Sequence, residues 1–189
     1  LYIHNMGHAT CAYLGDLLGY EYIYQSIDVP EIRVLVQNAM LESAVALHKK
    51  YDVELGGIVL HIQDLLHRFT NAALKDTCAR VGGDPGRKLS PADRLIGSAS
   101  LAIAQGETPA YIAVGAAAGL RRYIAEAEGM EQGMDSAKKV LKEVSELDEG
   151  SKLAAMILEM YALILEGKTI RELLKAADEV KAAAACRVI

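Results

Sequence analysis

The chain has 189 residues and a mass of 20.4 kDa, 52% hydrophobic and 24% charged, which suffices for one domain with a real core and excludes a disordered tail. A net charge of −5, a pI near 5.6, one Phe and no Trp exclude a nucleic-acid binder held by bulk charge or by a stacking platform. Cys11, Cys78 and Cys186 form no paired spacing, so they read as small buried hydrophobes in a reducing cytoplasm, and no run of about 18 apolar residues offers a membrane span.

Helix signals dominate and period-2 strand runs are nearly absent. The first helix is expected over Gly7 to Leu18, stopped by Gly19. Asp28, as N-cap, with Pro30 in the first turn, starts a long second helix on Ile32, Leu35, Val36, Ala39 and Met40. A third runs from about Leu55 to Phe69 on Ile58, Val59, Ile62, Leu65 and Leu66. A short helix is expected over Leu74 to Val81, and Asn71 or Asp76 reads as its structural cap.

Gly82 to Leu89 is the strongest loop signal in the chain. Ser90-Pro91 then caps a helix to about Gln105, and Thr108-Pro109 repeats the device for a helix to about Glu128. Gly129 to Gly133 is a linker. Helices over Asp135–Glu146, Ser151–Leu165 and Thr169–Ala185 follow, the last two capped by Ser151 and Thr169, with lysines and glutamates on solvated faces. The expected fold is all-α, with about eight helices and short connections. The N-terminus has neither the basic region nor the cleavage site of a signal peptide.

Two segments could carry chemistry. Ile3-His4-Asn5-Met6-Gly7-His8 packs two histidines and an Asn at a helix entry. His4 and His8, four apart, suit two metal ligands on one turn, but no third ligand of a zinc pattern follows, and satisfied or surface histidines are the plainer reading. His48, His61 and His67 show no partner pattern and read as core-edge or surface residues. Around the glycine-rich loop, Arg80, Arg87, Lys88, Asp93 and Arg94 are expected to converge beside a helix start. They form either an anion site or a solvated loop with ion pairs. The loop does not fit the G-x-x-x-x-G-K-[ST] pattern of a nucleotide-phosphate loop.

Three ordered blocks carry a resemblance. Asn5-Met6-Gly7-His8-Ala9 with Ala12-Tyr13-Leu14-Gly15 resembles the N-x-G-H-A…A-Y-L-G signature of the polyol-specific long-chain dehydrogenases. Arg68-Phe69-x-Asn71-x-x-Leu74-x-Asp76-x-x-x-Arg80-Val81-Gly82 is similar to a second family block. Arg87-Lys88-Leu89-Ser90-x-x-Asp93-Arg94-Leu95-Ile96 is similar to a third, nearest to the mannitol-1-phosphate 5-dehydrogenase branch. The likeness covers Leu1 to about Leu120 well and is weaker beyond.

The resemblance implies a helical C-terminal domain like that of 6-phosphogluconate dehydrogenase-like enzymes, joined to an N-terminal NAD-binding domain. The implied activity is zinc-free hydride transfer between a polyol and NAD. For the nearest branch the pair is D-mannitol 1-phosphate and D-fructose 6-phosphate. The family's catalytic motif is a Lys, an Asn five residues on and a His three further. Asn5 and His8 match the last two, and the Lys would stand immediately before Leu1. The chain starts without Met, and reads as cut within that motif, so the 189 residues alone are expected to be inactive. Arg80 matches a family arginine that contacts substrate hydroxyls. The mannitol 2-dehydrogenase branch carries a His where Gly83 stands, and with that room Arg87 and Lys88 are expected to meet a substrate phosphate. The alternatives are mannitol or a hexuronate as substrate, or a helical interaction module without chemistry.

Overall fold

The structure is a computed structural model that describes residues 1–186, and among these every regular element is a helix. The eleven helices are α1 (His4–Leu17), α2 (Ile23–Ile27), α3 (Pro30–Tyr51), α4 (Leu55–Phe69), α5 (Cys78–Gly82), α6 (Pro85–Lys88), α7 (Ile96–Ala104), α8 (Ala110–Glu126), α9 (Met134–Glu143), α10 (Lys152–Leu165) and α11 (Ile170–Ala185). Eight of them have seven or more residues, and the rest are single turns that periodicity cannot register. Among the described residues, no helix is long and apolar enough to cross a membrane.

The core is built around α8, whose residues Ala110 and Ile112 to Leu120 are buried without interruption. It packs against α1 on one side and α10 on another, and glycines set the spacing. A Cβ at Gly115 would collide with Thr10 Oγ1, and one at Gly119 would lie 2.9 Å from the Tyr13 ring. On α1, Gly7 admits Met40 of α3 and Gly15 admits Ser26 and Cys78, so α1 is surrounded by its neighbours from Ala9 to Gly15. That burial fixes α1 as a rigid element whose first turn, with His4, Asn5 and His8, reaches a partly exposed edge.

Several sequence expectations are corrected. α1 begins at His4 and not at Gly7. Asp28 is the C-cap of α2, and α3 starts after Val29 with no side-chain cap. No helix covers Leu74 to Val81. A 3₁₀ turn (Ala72–Leu74) ends on Lys75 at φ 51°, and α5 starts anew behind the Thr77 cap. Asn71 does cap, but it caps that 3₁₀ turn through Ala73 N–H at 3.0 Å, and it is exposed. Ser90 caps nothing: residues 90–95 are turns, and α7 begins at Ile96. Cys186 is exposed, while Cys11 and Cys78 are buried as expected. The caps at Ser151 and Thr169 are present, the latter as a capping box with Glu172.

Thr108 does not cap α8 either. Its N-terminal N–H groups are met from across the fold by Glu42 of α3, whose carboxylate accepts from Tyr111 N–H at 3.3 Å and Ile112 N–H at 3.0 Å. Lys181 of α11 stands 3.3 Å from the same carboxylate. Burial pushes the Glu42 carboxyl up to about 7, against the pull of Lys181 and of the two N–H donors.

Candidate active site

The site begins where the backbone of residues 76–78 pairs with residues 21–23. Ile23 N–H donates to Asp76 O at 2.9 Å, and Cys78 N–H donates to Glu21 O at 2.8 Å. This short antiparallel bridge sets Asp76 beside the first turns of α1. The Thr77 hydroxyl then accepts from Arg80 N–H at 3.1 Å, which starts α5 and places Arg80 in its first turn.

Asp76 reaches both ways. Its Oδ2 lies 3.5 Å from His8 Nε2, and its Oδ1 accepts from the Arg80 guanidinium. His8 is held from the other side by Phe69 at the end of α4, ring centroids 4.7 Å apart and planes 14° apart. His4 stacks on both rings, at 5.7 Å from His8 and 5.9 Å from Phe69. The two histidines that were spaced for metal ligands thus lie face to face. Burial, with Arg68 and His61 nearby, lowers the His4 pKa. Burial lowers that of His8 to about 4, so its imidazole is neutral at pH 7. Asn5, half-buried, follows on the same helix three residues before His8.

The basic residues expected to converge do so only in part. Arg87 and Arg94 share Asp93, at 3.4 Å and 2.8 Å, and Arg87 also binds Asp84 at 2.7 Å. Arg80 belongs to the other group, with Asp76. Lys88 differs from all of them. It is only 4% exposed, and burial, with Arg94 and Arg87 beside it, lowers its pKa. The ion-pair reading therefore holds for Arg87, and the buried cation is Lys88.

The glycine-rich segment is not a dinucleotide cradle. It leads into α6, a helix of four residues, and the Asp84 carboxylate occupies its entrance, within 3.4 Å of Arg87 N–H. A pyrophosphate there would meet that negative charge. Among the described residues, no group of three or more His, Cys, Asp or Glu is arranged to hold a metal ion. Asp76, expected as a helix cap, caps nothing: Thr77 caps α5, and the Asp76 carboxylate goes to His8 and Arg80 instead, while Phe69 had no expected role at all. Both stood in the second motif block, but nothing in their spacing said which histidine they would meet.

The comparisons extend this picture. The model of the mannitol dehydrogenase C-terminal domain matches residues 1–181. The chain is 39% identical over 175 residues to the mannitol-1-phosphate 5-dehydrogenase of Caldanaerobacter subterraneus subsp. tengcongensis, covering 90% of this chain and 45% of that protein. It is 37% identical over 166 residues to the Clostridium acetobutylicum protein of the same name, covering 85% and 43%. The chain thus spans less than half the length of these relatives. Among solved structures, the Pseudomonas fluorescens mannitol 2-dehydrogenase, in its ternary complex with NAD and D-mannitol, shares the fold. That match has a TM-score of 0.69 and 17% identity, over 94% of this chain and 39% of that one. Three motif blocks, a helical fold and a family model matching nearly the whole chain agree: the chain belongs to the mannitol dehydrogenase C-terminal domain family.

Proposed function

We propose that this chain is the substrate-binding half of an NAD-dependent cytoplasmic oxidoreductase that interconverts D-mannitol 1-phosphate and D-fructose 6-phosphate. The observation that carries the reading is the 39% identity over 90% of the chain to a mannitol-1-phosphate 5-dehydrogenase. The link of His8 to Arg80 through Asp76, with Asn5 one turn before His8 on α1, supports it.

NAD, when bound, accepts or returns the hydride; its binding belongs to a separate nucleotide-binding half, since the loop of this chain closes on its own Asp84. An open hollow of about 750 Å³ beside the site, lined by Leu1, Tyr2, Ile3, His4, Tyr51 and Val53 among others, is the seat for that half. The relatives are more than twice as long as this chain, which leaves room in them for such a half.

Each residue's part follows from its chemistry. Asn5 offers an amide N–H to the carbonyl oxygen of the ketose, or to the alkoxide as the alcohol gives up its proton. His8, neutral at pH 7, orients the reacting hydroxyl by hydrogen bonding without adding a charge. Arg80 binds neighbouring hydroxyls. Lys88, a cation with little access to water, meets the phosphate, and Arg87 adds the weaker share because Asp84 and Asp93 already hold it. The proton is taken by the family's Lys, whose motif position falls immediately ahead of Leu1.

The test is an assay of the protein in which this chain follows its nucleotide-binding half, with NADH and fructose 6-phosphate against fructose and fructuronate. The 189 residues by themselves are expected to oxidise no NADH with any of the three.

A further inference from the structure

The site holds a carboxylate for which the proposed reaction has no use. Asp76 stands between His8 and Arg80, touching each with a different carboxylate oxygen. We propose that Asp76 is the positioning residue of this site, a single carboxylate that ties the His8 imidazole and the Arg80 guanidinium together so that both meet the sugar as one unit. The proposal rests on the functional reading above, and it concerns a residue that never touches the substrate itself.

Three observations carry it. First, the Asp76 backbone is anchored by the bridge to residues 21–23, so its carboxylate is presented from a fixed point. Second, His8 is already confined on its face by Phe69, and Asp76 approaches its edge at Nε2; the two contacts together leave the ring little freedom. A carboxylate 3.5 Å from Nε2 favours a proton on that nitrogen over one on Nδ1. Third, the Arg80 side chain is 65% exposed and long, so without a partner it would sample many rotamers. Asp76 selects one of them.

A merely structural role fits poorly. An ion pair with a guanidinium this exposed contributes about 0–1 kcal/mol to stability. The backbone bridge, not the side chain, fastens the segment. The titratable and charged groups facing His8 are His4 on α1, Arg80 on α5, Arg94 in the 90–95 turn and Asp76; the first three oppose its protonation and Asp76 favours it.

The test uses Asp76→Asn and Asp76→Glu. In this chain alone, the NMR titration midpoint of His8 is expected to fall in D76N, because the favourable charge is gone while the opposing ones stay. In the protein that carries this chain behind its nucleotide-binding half, D76N is expected to lower kcat/KM for fructose 6-phosphate by about 10- to 100-fold with an unchanged Tm, the scale of a small misplacement of reacting groups. D76E is expected to recover most of that loss. Arg80→Ala is expected to cost much less in the D76N background than in the wild type, since the unit is already broken. An unmoved His8 midpoint, a D76N enzyme within twofold of wild type, or an activity loss that follows a lowered Tm would overturn the proposal. A wild-type protein that turns over none of the sugars contradicts the functional reading instead, and the titration still decides whether Asp76 governs His8.

Discussion

Phe69 lies almost parallel to the His8 ring, 4.7 Å away, and together with the surrounding protein keeps water from one face of it. That is why His8 stays neutral down to about 4. Phe69→Leu is expected to let water in and raise the His8 midpoint toward its ordinary 6.5, read by NMR titration. The stability consequence has a definite sign. Unfolded His8 takes up a proton below about 6.5 and folded His8 only near 4, so folding loses stability as pH falls through that window. The loss amounts to at most about 3 kcal/mol. Urea unfolding at pH 7 and pH 4.5 should show a smaller drop for His8→Gln than for wild type. Equal drops would mean that His8 is not buried as described.

Glu42 does for α8 what Thr108 was expected to do. Glu42→Ala leaves two helix N–H groups without their acceptor and Lys181 with only the Thr108 carbonyl, and is expected to cost about 2–4 kcal/mol, seen as a lowered urea midpoint. The pH effect runs opposite to that of His8. The Glu42 carboxyl is raised to about 7 from the 4.5 of the unfolded chain, so its contribution is full below 4.5 and is lost as pH rises through 7. Glu42→Gln should flatten that decline; an unchanged slope would show the carboxylate to be better solvated than its burial implies.

At Gly115 a methyl group would collide with Thr10, where α8 and α1 touch. Gly115→Ala gains about 1 kcal/mol in helix propensity. The overpacking costs about 1–3 kcal/mol, so the variant is expected to have a lower Tm. A higher Tm would show that α1 can move away from α8, contrary to a rigid platform for His8.

The phosphate assignment separates two neighbours in the sequence. Lys88→Ala is expected to raise KM for fructose 6-phosphate by about 10- to 100-fold while changing KM for fructose far less, the scale of a lost charge-assisted hydrogen bond. Arg87→Ala alone should have a smaller effect, because two aspartates hold that guanidinium already. The double variant should discriminate most strongly. Equal effects on the phosphorylated and free sugars would sink the assignment.

The long helices were legible because their buried faces repeat at three-four spacing, as Ile32, Leu35, Val36, Ala39 and Met40 do on α3. The single-turn helices were not, since α2, α5 and α6 are too short to show a period. Cap chemistry read locally succeeded where the partner is local, at Ser151 and Thr169. It failed at α8, where the cap is Glu42, about seventy residues away in the chain. The same limit governs the site. The motif blocks pointed to Asn5, His8 and Arg80 from sequence, but only the bridge between residues 76–78 and 21–23 shows that Asp76 joins His8 to Arg80. Equal-looking charges at Arg87 and Lys88 were told apart by burial, which no local pattern encodes.

The most direct measurement is NADH oxidation by the protein that carries this chain behind its nucleotide-binding half, with fructose 6-phosphate, fructose and fructuronate compared at equal concentrations. Turnover of fructose 6-phosphate is expected with a kcat/KM at least ~100-fold above that for the other two, the preference that follows if the buried Lys88 is the phosphate partner proposed. Preference for fructose or fructuronate, or no turnover of fructose 6-phosphate, would contradict it.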